Sequence, residues 1–268
     1  MRTAAPPAVT VGISLKMYFG HHQTLNWCRR VAEIAGRHPA VTGGVAELFV
    51  LPSFPTLVPA GIVLAGSSVR TGAQDLAAED AGPYTGEVSG AQLKEIGCAY
   101  AEVGHAERRR LFGEGDTVIA AKTAAALRHG LTPVLCVGEL DRTSPAEAAS
   151  RTVAELGRLL ATAAQDAGPT PVVVAYEPQW AIGAPEPASA DHIRTVCAEL
   201  TRWLAGRPRF AGSRVIYGGS AGPGLLTGLG GDVGGLFLGR FAHDPAAVER
   251  ILDEAYALHA AREPEGAR

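Results

Sequence analysis

Short runs of consecutive apolar and β-branched residues alternate along this chain with longer stretches whose apolar positions recur every three or four residues. The short runs are "AVTVGIS" (8–14), "ELFVL" (47–51), "IVLAG" (62–66), "AYAEVG" (99–104), "TPVLCVG" (132–138), "PVVVAY" (171–176), "RVIYGG" (214–219) and "GLFLG" (235–239). Most are continuously apolar, as expected of parallel strands covered on both faces. Between them the pattern predicts helices over 23–38, 116–130, 144–168, 189–206 and 244–261. Asp116, Ser144, Ser189 and Asp244 stand where N-caps belong, Pro145 suits a first turn, and Gly130 and Gly168 mark helix ends.

Eight strands alternating with helices predict a parallel α/β fold. A length of 268 residues suits one closed eightfold barrel, with 1–7 and 263–268 as loose termini. No linker or break in composition marks a second domain. A doubly wound open sheet is the competing architecture. It lacks its glycine fingerprint, because "GPGLLTG" (222–228) has the wrong spacing.

Composition narrows the function classes. Hydrophobic residues make up 47% of the chain, enough for a large core, and the formal net charge is −3. No basic face for nucleic acid is implied. The densest basic run, "ERRR" (107–110), reads as a solvated or ion-paired turn. Cys28, Cys98, Cys136 and Cys197 form no CxxC pair, so zinc-ribbon and redox motifs are not indicated. Scattered thiols fit a reducing cytoplasm. "MRTAAPPAVT" has no apolar signal region, and no apolar run reaches the ~20 residues of a membrane helix. A soluble, cytoplasmic protein is expected. His21 and His22 are adjacent and lack a usefully spaced third ligand, so no metal site is expected there. Trp27 and Trp203 read as helix-packing residues.

In a barrel, chemistry gathers beyond the C-terminal strand ends. Lys16, His105 and Glu177 fall just past the first, fourth and sixth strands. Taken singly they read as a surface lysine, a satisfied histidine and an ion-paired glutamate. Around one cavity, they suit moving a proton beside a carbonyl.

The segments carrying these residues resemble the triosephosphate isomerase family along nearly the whole chain. "LKMY" (15–18) resembles its first-strand lysine motif, "AGPYTGEVS" (81–89) its dimer-interface loop and "GHAERRRLFGEGD" (104–116) its histidine signature. "LTPVLCVGE" (131–139) resembles its fifth strand, "AYEPQWAIG" (175–183) its base-and-lid segment and "YGGS" (217–220) a phosphate-loop element. The resemblance implies a single-domain (β/α)8 TIM barrel. It makes Glu177 the general base, His105 the electrophile, Lys16 the stabilising cation and Glu107 its acidic partner. Residues 106–112 would form a short helix whose positive end keeps His105 neutral. Pro178 and Trp180 would form the first hinge of a lid that carries Ile182 and Gly183.

Phosphate would be held, by the same resemblance, by the backbone N–H groups of Gly183, Ser220, Gly239 and Arg240. A helix starting after the eighth strand would add partial positive charge. No cofactor or metal is implied. The substrate would be a small phosphorylated sugar, in glycolysis and gluconeogenesis. The protein would be a homodimer through 81–89, with Thr85 reaching the neighbour and Gln74 and Asp75 near the interface.

Departures from the family pattern cluster around the substrate. Ser14 and Leu15 replace an asparagine and an aromatic, Ala106 a serine and Gln179 a valine. Ala184 and Pro185 replace a Thr–Gly lid tip, "EPA" (186–188) the small, lysine-led residues of the second hinge, and Arg240 a glycine. Pro185 and Pro187 would stiffen the lid. The main expectation is an aldose–ketose isomerase interconverting dihydroxyacetone phosphate and glyceraldehyde 3-phosphate. The alternatives are an isomerase of a four-carbon ketose phosphate, an erythrulose phosphate, and a non-catalytic sugar-phosphate-binding barrel.

Overall fold

A computed structural model describes residues 8–161 and 169–262. The expected loose termini and the expected helix stop at Gly168 lie outside the described residues. Eight parallel strands close into one barrel in sequence order. They are β1 Val9–Ser14, β2 Ala46–Leu51, β3 Val69–Ala73, β4 Tyr100–Val103, β5 Thr132–Val137, β6 Val173–Tyr176, β7 Arg214–Tyr217 and β8 Gly235–Leu238. Pairing of Thr10 with Gly235 and Ile13 with Leu238 closes the ring.

Side chains alternate between two cores, as the period of two along a strand demands. One set points into the barrel and includes Phe49, Leu51, Tyr100, Cys136 and Phe237. The other points outward to the helices and includes Val11, Ile13, Leu48, Val103 and Tyr176. Gly12 makes the inner layer possible: a Cβ there would stand 2.3 Å from Cζ of Phe49 and 2.9 Å from Cδ2 of Phe237. Phe49 stacks on Tyr100 with ring centroids 4.2 Å apart. The barrel's middle is therefore packed, and open volume is left at the C-terminal strand ends.

The helices Pro145–Leu159, Ala190–Ala205 and Pro245–Ala260 begin at the expected caps. Ser144, Ser189 and Asp244 each accept a backbone N–H of the first turn, from Glu147, His192 and Ala246. Asp116 is different. Gly115 is the N-cap of the helix Asp116–Arg128, and Asp116 pairs with Arg109 and Arg158 instead.

The third strand is the clearest correction. The apolar run expected as a strand at 62–66 ends a helix, Leu57–Leu64, which buries Leu57, Ala60 and Leu64. These positions, i, i+3 and i+7, share one helical face. The strand is the more polar segment "VRTGA", whose Arg70 is exposed. The basic run 107–110 is ion-paired but helical: Arg108 bridges Asp75 and Glu114, and Arg109 reaches Glu155.

Trp27 ties the helix His21–Arg37 to the turn after β8 by donating to the Ala242 carbonyl at 2.8 Å. Trp203 packs against Phe210 and carries the Arg207 guanidinium over its ring. His21 and His22 meet edge to face. All four cysteines are buried free thiols. No described helix is long and apolar enough to cross a membrane.

Candidate active site

A cavity of about 710 Å³ opens at the C-terminal ends of the strands. Ser14, Lys16, His105, Glu107, Glu177, Gly183, Ser220, Gly239 and Arg240 all line it. Every site residue expected from the sequence is thus brought to one place. They arrive from five separate strand ends and the lid.

Lys16 follows β1 with a left-handed φ of +50°, rare for a side chain other than glycine. Gln74 braces this strained turn, donating to the carbonyls of Lys16 (3.1 Å) and Leu51 (2.9 Å). The ammonium reaches Glu107 Oε1 at 2.7 Å. Burial pulls the Lys16 pKa down, but the hydrogen bond to Glu107 and the charges of Glu107, Glu177 and Glu102 outweigh it and raise it overall. Glu107 sits lower than an ordinary carboxyl. Burial opposes that shift, and the Lys16 hydrogen bond and charge override it.

His105 follows β4 and caps the helix Ala106–Phe112, the short helix expected from the sequence. Its Nδ1 accepts the Glu107 N–H at 3.1 Å. That bond occupies the Nδ1 lone pair, so the ring proton belongs on Nε2. Nε2 faces Glu177 Oε2 at 3.7 Å.

Glu177 leaves β6 with its own N–H bonded to Val137. Its carboxylate is buried, and Oε2 has no hydrogen-bond partner among the described residues. Burial, followed by the charges of Glu177 and Glu102, pushes the Cys136 thiol's pKa well up. Gly218 holds the space beside it: a Cβ there would lie 2.6 Å from Glu177 Oε1.

The segment expected to form the lid is anchored at both ends. Trp180 Nε1 donates to Glu139 at 2.9 Å, and the Ala188 N–H to the Tyr217 hydroxyl at 3.0 Å. Glu139 also receives the Tyr176 hydroxyl and faces His192 Nε2 at 3.0 Å. Ser220 donates its hydroxyl to lid carbonyls of Ala181 and Ala184. The N–H groups of Gly183, Ser220 and Gly239 make no backbone hydrogen bond among the described residues. After β8 comes a four-residue 3-10 turn, Arg240–His243, and the long helix starts only at Pro245.

Comparison with known proteins adds to this geometry. Residues 9–255 match the family described as triosephosphate isomerase. The chain belongs to the triosephosphate isomerase family. Among its relatives, one from Pectobacterium atrosepticum named L-erythrulose-1-phosphate isomerase is 55% identical over 93% of this chain and 96% of its own. Another of that name, from Rhizobium etli, is 40% identical over 91% of this chain and 90% of its own. A triosephosphate isomerase from Mycobacterium tuberculosis is 41% identical over 76% of this chain and 79% of its own. The crystal structure of triosephosphate isomerase from Bartonella henselae superposes with a TM-score of 0.76 and 27% identity, covering 94% of this chain and all of that one.

Within this family fold, some residues escaped sequence reading. Glu102 is an acid inside an apolar strand, and it accepts the Ser14 hydroxyl at 2.8 Å. A charged residue within "AYAEVG" was the available signal. Cys136, Glu139 and His192 left no signal, because their roles depend on partners far away in sequence. Asp75 is buried against Lys122 and Arg108 of the same chain.

Proposed function

We propose that this chain is a cofactor-independent isomerase of L-erythrulose 1-phosphate. The observation that carries the chemistry is the convergence of Lys16, His105 and Glu177 on one cavity beneath a lid. The similarity to two relatives named for this substrate supports the four-carbon choice over the three-carbon one.

The substrate carries its phosphate on C1, a carbonyl on C2 and hydroxyls on C3 and C4. Glu177 takes the proton from C3, and the C–H electron pair forms the C2–C3 double bond of an enediolate. His105 hands its Nε2 proton to the oxygen on C2, and Lys16 steadies the charge that develops on the way. Glu177 then returns the proton to C2. The O3 hydroxyl proton passes to the imidazole as the carbonyl forms at C3, giving an erythrulose 4-phosphate. For this substrate the reaction is therefore ketose to ketose, rather than the aldose–ketose exchange expected from the sequence. The lid residues Ile182 to Pro185 cover the enediolate and keep out water, which suppresses loss of phosphate from C1.

Phosphate binding falls to the N–H groups of Gly183, Ser220, Gly239 and Arg240, with the Arg240 guanidinium at the mouth. Dihydroxyacetone phosphate is the same molecule without the C4 hydroxymethyl group. The similarity to the Mycobacterium tuberculosis relative favours it as a second substrate. The test is kcat/KM for both substrates with purified protein. Preference for the four-carbon ketose by tenfold or more supports the proposal, and preference for the triose overturns the substrate choice.

A homodimer in the cytoplasm completes this reading. Residues 81–87 are exposed, with Tyr84 45% and Met17 94% accessible in the single chain. Sedimentation of a fully active monomer overturns the dimer.

A further inference from the structure

Glu102 is 3% exposed and belongs to no ion pair among the described residues. It points into the barrel with Tyr100, while Ala101 and Val103 point to the helices. Burying a carboxylate without a cation is costly. Its one hydrogen bond among the described residues is to a neutral group, Ser14 Oγ, 2.8 Å from Oε2. Ser14 lines the cavity and Glu102 lies below it.

We propose that Glu102 is a positioning residue that sets the direction of the Ser14 hydroxyl at the cavity floor. A serine hydroxyl has one hydrogen. When Glu102 is ionised, that hydrogen is drawn down to the carboxylate, and Ser14 offers the cavity only lone pairs. When Glu102 is protonated, it donates to Ser14 Oγ, and the Ser14 O–H turns towards the substrate's oxygens. Only the second arrangement stabilises a developing enediolate oxygen. The proposal rests on the isomerase reading of the cavity.

The surroundings make both states accessible. Burial pushes the Glu102 carboxyl up to about 7, aided by the Glu177 charge and opposed by His105, Ser14 and Lys16. Cys136 on β5 also faces its charge. These groups come from β1, β4, β5 and the end of β6, the elements around it.

The test is the pH profile of kcat/KM for L-erythrulose 1-phosphate and dihydroxyacetone phosphate, with the unsubstituted enzyme, Glu102→Gln and Ser14→Ala. The glutamine amide donates to Ser14 at every pH, so it copies the protonated acid. The unsubstituted enzyme is expected to lose roughly tenfold in kcat/KM above an inflection near pH 7, as for one charge-linked hydrogen bond. Glu102→Gln is expected to lack that inflection, and Ser14→Ala to lack it at a uniformly lower rate. Taking the ratio of profiles cancels ionisation of the substrate's phosphate. An unchanged inflection in Glu102→Gln, or an equal loss at every pH, overturns the proposal.

Carbon-13 NMR of labelled glutamate gives a second measurement that does not need the buried substitution. A carboxyl titrating near pH 7, and moving upward in Ser14→Ala, supports the proposal. Titration of every carboxyl below pH 5 overturns it. Absence of turnover by the unsubstituted enzyme overturns the isomerase reading instead, and the NMR titration still decides the Glu102–Ser14 coupling.

Discussion

Glu177 Oε2 and His105 Nε2 lie 3.7 Å apart although β4 and β6 are separated by another strand. The carboxylate oxygen has no hydrogen-bond partner among the described residues, and the imidazole is fixed from behind through Nδ1. A base with an open lone pair beside an oriented donor is the arrangement that proton transfer next to a carbonyl requires.

Removing the base while keeping its shape tests this directly. Glu177→Gln is expected to lower kcat by about 10²- to 10⁴-fold with a small change in KM. The measurement is steady-state kinetics with the four-carbon ketose phosphate. A change confined to KM contradicts the assignment.

Gly218 tests position rather than chemistry. Its missing Cβ leaves room for Oε1 and Cγ of Glu177, which would otherwise sit at 2.6 and 2.7 Å. Gly218→Ala must push the carboxylate aside. A displacement of about 1 Å is expected to lower kcat by roughly 10²-fold while the fold, followed by circular dichroism, is preserved. Wild-type turnover in this variant would show that Glu177 has freedom the packing denies it.

Away from the reacting groups, Lys122 holds a buried charge cluster together. Its Nζ lies 2.7 and 2.8 Å from the Asp75 oxygens and 2.6 Å from Glu114, and Arg108 bridges the same two acids. Burial raises the Asp75 pKa despite these cations. Lys122→Met leaves the two buried acids to Arg108 alone and is expected to cost about 3 kcal/mol in urea unfolding at pH 7, the low end for a broken buried pair. Asp75 and Gln74 adjoin in sequence, and Gln74 braces Lys16, so activity is expected to fall along with stability.

The barrel and its principal candidate site residues were legible because they depend on local signals. Continuous apolar runs mark strands covered on both faces, and each of Lys16, His105 and Glu177 follows one of them. The third strand was hidden because Arg70 and Thr71 break its apolar run, while the preceding helix supplies an unbroken one. Asp116 was misplaced by one position, since an acid suits both a cap and a first turn. Glu139 and His192 illustrate the remaining limit. They are 53 residues apart and meet below the lid hinge, and no local pattern announces such a pairing. The choice between a three- and a four-carbon substrate was the least legible property, since Ser14 and Arg240 change the wall of the cavity without changing the candidate reacting groups.

Glu102 also links the site to stability. An unfolded glutamate titrates at about 4.3. In the fold, burial pushes this carboxyl up to about 7. Between those values the native state holds a proton that the unfolded chain has lost, so stability falls as pH rises. The contribution is fully present below the unfolded value and is lost once pH passes about 7. Its size is on the order of 3 kcal/mol at ~1.4 kcal/mol per tenfold change. Glu102→Gln carries no such proton. The stability difference, unsubstituted minus variant, is therefore expected to shrink by that order between pH 4 and pH 8, through zero if the amide packs well. Urea unfolding at the two pH values measures it. Parallel stability curves would mean that Glu102 remains ionised in the fold, with the Ser14 hydrogen held permanently beneath the cavity.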